Sequence, residues 1–473
     1  MPVTTAPVAE RPRAARGRYA AINLTEGSIS RGLWTLAWPQ MVEQVLTIVY
    51  QLTDLAWAGQ LGARSIAGLG VAQTYSQLAM TGRMGFDTAT RAMIARSIGA
   101  GDIRTANHVA LQSFTLSSAF SVLMMVVGVI LTEPLMQVLG VSGDVIAAGA
   151  DYMRIQFVAQ TAIAFRMMSG SALQASGDTF TPMKATTVTR VIHIGLSPCL
   201  VFGWLIFPEM GLAGAAIANC ISQLVGGVMN FRALFRGSSR LHLNLSGYQV
   251  DLPLLWQIAK LGMPASVTSA ERTLAQLMLL GIVAPFGDNV LAAFSLTRRT
   301  EMVANMGVGG LGQSAGIMAA QNLGAGKPAR ARSAVLWALL YSSLFLLTTG
   351  ALLYFFAEPV LSVFNDELGV LDTAVVWLRI QVVGYVFMGA GMVFMQTFNT
   401  SGDTTVPMVV TLISIWLVQQ PLALVMPAWT GLGEYGIGWA INIAMFVRCF
   451  VFLGYYLWGP WTQKRVLGVR APH

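Results

Sequence analysis

The chain has 473 residues, 55% of them hydrophobic and only 11% charged, with a net charge of +8 and a mean hydropathy of +0.62. Soluble domains carry roughly a quarter charged residues, so this chain has too little polar surface to face water on all sides. The excess positive charge is spread over connections instead of being gathered in one unit, which argues against a nucleic-acid partner. The three cysteines, Cys199, Cys220 and Cys449, all fall in apolar segments and give neither a disulfide framework nor a metal-ligand spacing.

Residues 1–32 form a polar tail with Arg11, Arg13, Arg16 and Arg18, and no apolar stretch precedes a small-residue cleavage site, so no signal peptide is expected. Apolar runs then recur to residue 459. About 20 residues of helix span the hydrocarbon core, and open backbone groups cannot be satisfied by lipid. The runs therefore predict twelve transmembrane helices at 33–59, 66–97, 106–131, 145–172, 183–206, 211–231, 253–285, 290–322, 332–356, 370–397, 407–428 and 435–459. The expected organisation is a basic tail (1–32), an N-lobe (33–231), an inter-lobe loop (232–252), a C-lobe (253–459) and a second tail (460–473). An even number of spans puts both termini on one side. Connections on that side hold Arg104, Lys184, Arg232, Arg236, Arg240, Lys327, Arg330 and Arg332, whereas the opposite set holds Glu133, Asp144, Glu209, Asp288, Glu358, Asp366, Glu367, Asp372 and Glu434. Lys and Arg favour the cytoplasmic side, so both termini are expected there, in a cell membrane.

The stretch QASGDTFTPM at 174–183 returns as NTSGDTTVPM at 399–408, an offset of 225 residues. The same offset pairs Pro39 with Pro264, Gly62 with Gly287, Gly99-Ala100-Gly101 with Gly324-Ala325-Gly326, Glu133-Pro134 with Glu358-Pro359, Arg154-Ile155-Gln156 with Arg379-Ile380-Gln381, and Trp204 with Trp429. One gapless register from first helix to sixth means that the chain is an internal duplication. With six helices per half, the halves share a topology and are related by an axis along the membrane normal, a transporter architecture. The predicted fold is thus two pseudo-symmetric six-helix bundles.

The closest approach to a phosphate cradle, GAGKP at 324–328, lacks the first glycine of the nucleotide-binding loop and has Pro328 where Ser or Thr is needed. No zinc-protease helix or nucleophile turn occurs, and neither an enzyme nor an ATP-driven pump is indicated. The motifs QLTDLAWAGQLG (51–62), ARSIGAGD (95–102), LQASGDTFTPM (173–183), EMGLAGAAIAN (209–219) and AAQNLGAGKPARA (319–331), in this order and spacing, resemble the multidrug and toxic compound extrusion (MATE) family of secondary antiporters. That resemblance covers residues 33 to about 458. It implies export of cationic or amphipathic small molecules against H⁺ or Na⁺, with no cofactor.

A charge in hydrocarbon costs several kcal/mol on insertion scales, so membrane charges without a twin in the other half are the functional candidates. Glu43 and Asp54 are 11 residues apart in the first helix, about 20° apart around it, with Tyr50 and Gln51 near the same face; their twins are Thr268 and Leu279. Asp54 matches the family's first-helix aspartate, whose protonation or sodium binding the resemblance implicates in substrate release. The fifth helix sets Arg190, His193 and Ser197 at i, i+3, i+7. His193 and Ser197 stand where the DinF-type branch has an asparagine and an aspartate, and an imidazole titrates near pH 6.5. Glu43, Asp54 and His193 are the candidates for cation coupling. Candidates for substrate contact are Tyr50, Gln51, Arg190 and Ser197, with Glu271, Arg272, Arg298, Arg299 and Glu301 in the second half; these charges equally suit internal ion pairs. The NorM-type helix-seven glutamate falls on Arg272, one position from Glu271, while Glu301 matches the DinF-type branch, to which the chain is closer. Arg83, Asp87 and Arg91 at i, i+4, i+8 are expected to pair along one helix face, and Arg154 with Arg379, a matched pair, to serve the scaffold. The expected function is a monomeric proton- or sodium-coupled antiporter of organic compounds; a lipid or lipid-linked sugar flippase on the same fold is the alternative.

Overall fold

The computed structural model describes residues 23–61, 63–138, 143–204, 206–364, 367–464 and 466. The tail arginines Arg11 to Arg18, with Asp366 and Arg470, lie outside them. Twelve long helices follow one another: α1 Ile29–Gln60, α2 Ala63–Gly99, α3 Ile103–Ile130, α4 Gly143–Ala175, α5 Phe180–Val201 and α6 Gly211–Arg236 in the first half. The second half has α7 Leu252–Val283, α8 Asp288–Gly324, α9 Pro328–Phe355, α10 Leu368–Ser401, α11 Thr405–Trp429 and α12 Tyr435–Trp458. No strand occurs among the described residues. A short helix follows the third long one in each half, Thr132–Val138 and Ala357–Ser362, starting 225 residues apart. Sequence periodicity passes over these two because each is too short to show a repeat.

Six helices, α3, α6, α9, α10, α11 and α12, are long and apolar enough to cross a membrane by length and composition alone. The outward stripe of α9 shows why: Leu336, Leu340, Leu344 and Leu347 are exposed at helical spacing, while Ala334, Ala338, Ser342 and Leu346 are buried. On α6, Ile221, Leu224 and Val228 face outward and Asn219, Ser222, Gln223 and Gly226 inward. Apolar surface lies outside and polar groups inside, as lipid requires.

Turn chemistry sets the junctions. Gly177 and Gly402 take φ of +101° and +92°, closing α4 and α10 left-handed, and Asp178 accepts from Thr181 N at 3.0 Å to start α5. α5 stops at Val201, short of the predicted 206, where Gly203 turns at φ +69°. α6 runs on to Arg236 before Gly237 ends it, so Arg232 and Arg236 ride on its last turns and not in the connection. α11 widens into a π-turn over Ile413–Gln419, just ahead of Pro421, which has no N–H to return to the preceding turn. The linker lies along α3: Gln112 holds Gln249 O at 2.6 Å, and Asp251 is bonded by His108 at 3.1 Å while capping Leu254 N. Those bonds hold the Asp251 carboxyl below the usual carboxylate range.

Glycines define the seam between the halves. α2 packs on α7 and α8 on α1, the same contact seen twice through the pseudo-twofold axis, and α2 crosses α8 on that axis. A Cβ on Gly99 would stand 1.9 Å from the Gln321 carbonyl oxygen, and one on its twin Gly324 2.2 Å from that of Arg96, the twin of Gln321. Cross-lobe bonds gather at the same, basic end: Arg96 to Ser401 O at 2.9 Å, Gln321 to Ala175 O at 2.8 Å, Asn322 to Leu24 O at 3.2 Å, Lys327 to Thr25 O at 3.0 Å. Toward the membrane middle come Gln40 to Ser314 and Ser266 to Gly82 O. The described cross-lobe hydrogen bonds stop there, and beyond them Gln51, Leu52 and Leu55 of α1 are exposed. The described cross-lobe hydrogen bonds thus join the lobes toward the basic end.

Gly99→Ala is expected to push α2 off α8 and cost about 1–3 kcal/mol of stability, read as a lowered thermal unfolding temperature in detergent. Gly59→Ala, within α1 where a Cβ meets open space, is expected to keep that temperature or raise it slightly.

Candidate functional site

Inside the N-lobe, α1, α5 and their neighbours turn polar residues toward one another. Asp54 is buried on α1, and its Oδ1 lies 3.4 Å from Nε2 of His193 on α5, itself fully buried. No hydrogen bond closes between Oδ1 and the imidazole; the Tyr50 hydroxyl lies against the Asp54 carboxyl, and the Ala215 backbone lies beside the His193 ring. Tyr50, one turn before Asp54, sets its ring nearly perpendicular to the imidazole at 4.8 Å and carries the Arg190 guanidinium over its face at 4.1 Å. Ser197, one turn past His193, is buried with its hydroxyl unpartnered. A buried polar group without a partner costs about 1–3 kcal/mol.

Glu43 faces the same interior nearer the basic end. Gln174 Nε2 stands 3.4 Å from each of its oxygens, and Arg166 and Arg91 lie within range of its charge. A ladder of side chains leads from here to the Asp54 region. Arg166 Nε donates to Gln223, Gln223 donates to Asn219 Oδ1 at 3.1 Å, Asn219 donates to Gln156 Oε1 at 3.2 Å, and Gln156 donates to the Tyr152 hydroxyl at 3.3 Å. Tyr152 in turn feels the charge of Asp54. Gly226 permits the approach, since a Cβ there would meet Thr189 Oγ1 at 2.2 Å and Arg166 Cδ at 2.8 Å. On α2, Arg83 pairs with Asp87 at 3.3 Å, but Arg91 reaches across the seam to Gln313 Oε1 at 3.4 Å instead of completing the predicted row.

The C-lobe interior is built differently. Arg298 pairs with Glu301 at 2.7 Å on α8. Glu271 on α7 is buried with neither carboxylate oxygen partnered, because Arg272, its neighbour in sequence, points about 100° away around the helix. Arg272 and Arg448 of α12 share the electrostatic surroundings of Glu271 and Glu301, and Arg272 keeps an exposed surface among these charges. Two candidates, Gln51 and Arg299, are exposed and touch neither cluster. The twin arginines sit at the acidic end: Arg154 pairs with Glu133 and Asp151, and Arg379 donates to Tyr354 O at 3.4 Å.

Sequence reading passes over Arg166, Tyr152, Asn219 and Arg448. The signal is nevertheless present: at the offset of 225 their twins are Gly391, Trp377, Ala444 and Gln223, so the comparison that isolates Asp54 isolates them too.

The family description MatE matches residues 39–199 and again 264–425. The probable multidrug resistance protein NorM of Thermotoga maritima is 26% identical over 451 residues, 93% of this chain and 94% of its own. An FAD transporter of Shewanella oneidensis is 27% identical over 85% of this chain and 88% of its own. A solved outward-facing conformation of a multidrug resistance MATE family transporter superposes with a TM-score of 0.87 at 22% identity, covering 93% of this chain and 98% of that one; this likeness is one of fold.

Gln223→Leu is expected to strand Arg166 Nε and Asn219 Oδ1 and to destabilise the protein by about 1–3 kcal/mol, measured by thermal unfolding. Gln→Leu at the exposed Gln51 is expected to leave stability unaltered.

Proposed function

The chain belongs to the MatE family, and from that premise we propose that it is a secondary antiporter exporting organic compounds in exchange for protons. The observation that carries this reading is the open Asp54–His193 contact, 3.4 Å apart and buried, at a position whose second-half twin is Leu279. A proton arriving there has two places to rest, carboxylate or imidazole, and its arrival changes what holds α1 to α5. Sodium is the less suited ion, since hard cations take oxygen ligands and two of the groups beside this carboxylate, the His193 imidazole and the Arg190 guanidinium, offer none.

The basic end is taken as cytoplasmic, which makes the present arrangement, joined at the basic end, the outward-facing one. Protons then reach Asp54 from outside. α1 is the natural carrier of the response because it holds Asp54 at one end and the seam bond Gln40–Ser314 at the other. Pro39 interrupts its hydrogen-bond ladder between that seam and the Ser30–Tyr341 contact. Release of the seam bonds from Arg96, Gln321, Asn322 and Lys327 would open the basic end in the alternate state. The relatives named for drug resistance and for FAD transport support organic cargo.

In proteoliposomes, Asp54→Asn is expected to lose between about fivefold and a hundredfold of pH-gradient-driven transport, the range of typical site-to-site coupling. Collapsing the pH gradient should stop wild-type transport, and collapsing a sodium gradient should not. Transport by Asp54→Asn that stays fully coupled to pH would remove Asp54 from the mechanism.

A further inference from the structure

The sequence resemblance implies cationic or amphipathic cargo, but the charges inside the helices do not favour a cation. The N-lobe interior holds Arg83, Arg91, Arg166 and Arg190 against Glu43, Asp54 and Asp87, and the C-lobe interior holds Arg272, Arg298 and Arg448 against Glu271 and Glu301. Arginine cannot deprotonate in a protein, so both lobes keep a positive excess at any working pH, and it grows whenever a carboxylate takes up a proton. An organic cation entering from either side meets like charge in low dielectric.

We propose that the C-lobe cluster is the docking site for an oxyanion, a phosphate or carboxylate group, of an otherwise apolar organic substrate. This rests on the transporter reading above and names its cargo. Arg272 comes from α7, Arg298 from α8 and Arg448 from α12, and each feels the charge of at least one of the others. Only Arg298 is matched, by Glu301 at 2.7 Å. Among the described residues, Arg272 and Arg448 have no hydrogen-bond or ion-pair partner. A planar fork of donors is made for bidentate pairing with phosphate or carboxylate, and Arg272 and Arg448 feel Glu271 and Glu301 without a paired carboxylate of their own, which leaves their forks free for an oxyanion from outside the chain. The N-lobe twins of these residues are neutral: Thr47 for Arg272, Gln73 for Arg298 and Gln223 for Arg448. The scaffold therefore does not need the arginines.

The surrounding wall suits the remainder of such a molecule. Tyr385 and Met388 are buried beside Met392, Met445 and Phe345, and methionine adapts to varied apolar shapes. Glu271, buried without a partner, completes the site: it neutralises Arg272 and Arg448 in part when the site is empty, so the anion competes with a carboxylate already there and can leave.

The test uses full-length protein in proteoliposomes with two dyes sharing the xanthene frame, anionic 6-carboxyfluorescein and cationic rhodamine 123. Wild type is expected to move carboxyfluorescein under a pH gradient and not rhodamine 123. Arg272→Gln and Arg448→Gln should each weaken carboxyfluorescein transport by about tenfold, the loss of one charge-assisted pair, with Arg272→Lys intermediate because it keeps charge without the fork. Thermal unfolding checks that each variant is folded; a variant that fails to fold is replaced by the corresponding lysine. Repeating the assay in phosphatidylcholine with and without phosphatidylglycerol assigns the source of the oxyanion. Suppression of wild-type transport by phosphatidylglycerol places a lipid headgroup in the site, and no suppression places a soluble anion there. Movement of rhodamine 123 in preference to carboxyfluorescein, or arginine variants that carry carboxyfluorescein as well as wild type, would overturn the proposal while leaving the antiporter reading standing. If neither dye moves, the antiporter reading fails and this proposal with it.

Discussion

The structure depends on one constraint: a charged side chain cannot be left against hydrocarbon. The charges buried along the helices, among them Asp54 of α1, Arg83 and Asp87 of α2, Arg190 of α5, Glu271 of α7 and Glu301 of α8, are turned inward. That choice fixes the rest. α3 and α9, poor in charge, take outer positions with leucine and valine stripes to lipid, while the charged helices line two polar interiors.

Duplication supplies the frame and its breakage supplies the chemistry. The reciprocal contacts of Gly99 with Gln321 and Gly324 with Arg96 are one contact written twice, and so are the αL caps at Gly177 and Gly402. The interiors have diverged. The N-lobe carries the open Asp54–His193 contact and the amide ladder from Arg166 to Tyr152, whereas the C-lobe carries arginines around Glu271 and Glu301. Amide side chains do not pass protons along a chain as water or imidazole does, so the ladder is best understood as a fixed frame. It holds Arg166 near Glu43 and Tyr152 near Asp54 in one geometry.

Much of this was legible in the sequence. Twelve apolar runs, one offset and the chemistry of the junction phrase 174–183 define the helices to within a few residues, because membrane helices are long and their ends carry Gly, Asp and Pro for local reasons. The short helices Thr132–Val138 and Ala357–Ser362 and the π-turn of α11 were not legible, since none has a periodicity of its own. For the interior, helical spacing placed Glu43 and Asp54 on one face, but which helix stands opposite them is a matter of packing. His193 meets Asp54 because α5 packs on α1, and Arg166 reaches Glu43 because Gly226 lets α6 come close to α4. Neutral amides such as Asn219 and Gln223 gain meaning only when their partners are known.

The central claim is that protonation at Asp54 governs how the two lobes stand relative to one another. The most direct test is the distance between spin labels placed on the two lobes at the acidic end, measured in lipid nanodiscs as pH is varied, for wild type and Asp54→Asn. The account predicts a distance distribution that changes with pH in wild type and is fixed in Asp54→Asn. The same pH response in both proteins would contradict it.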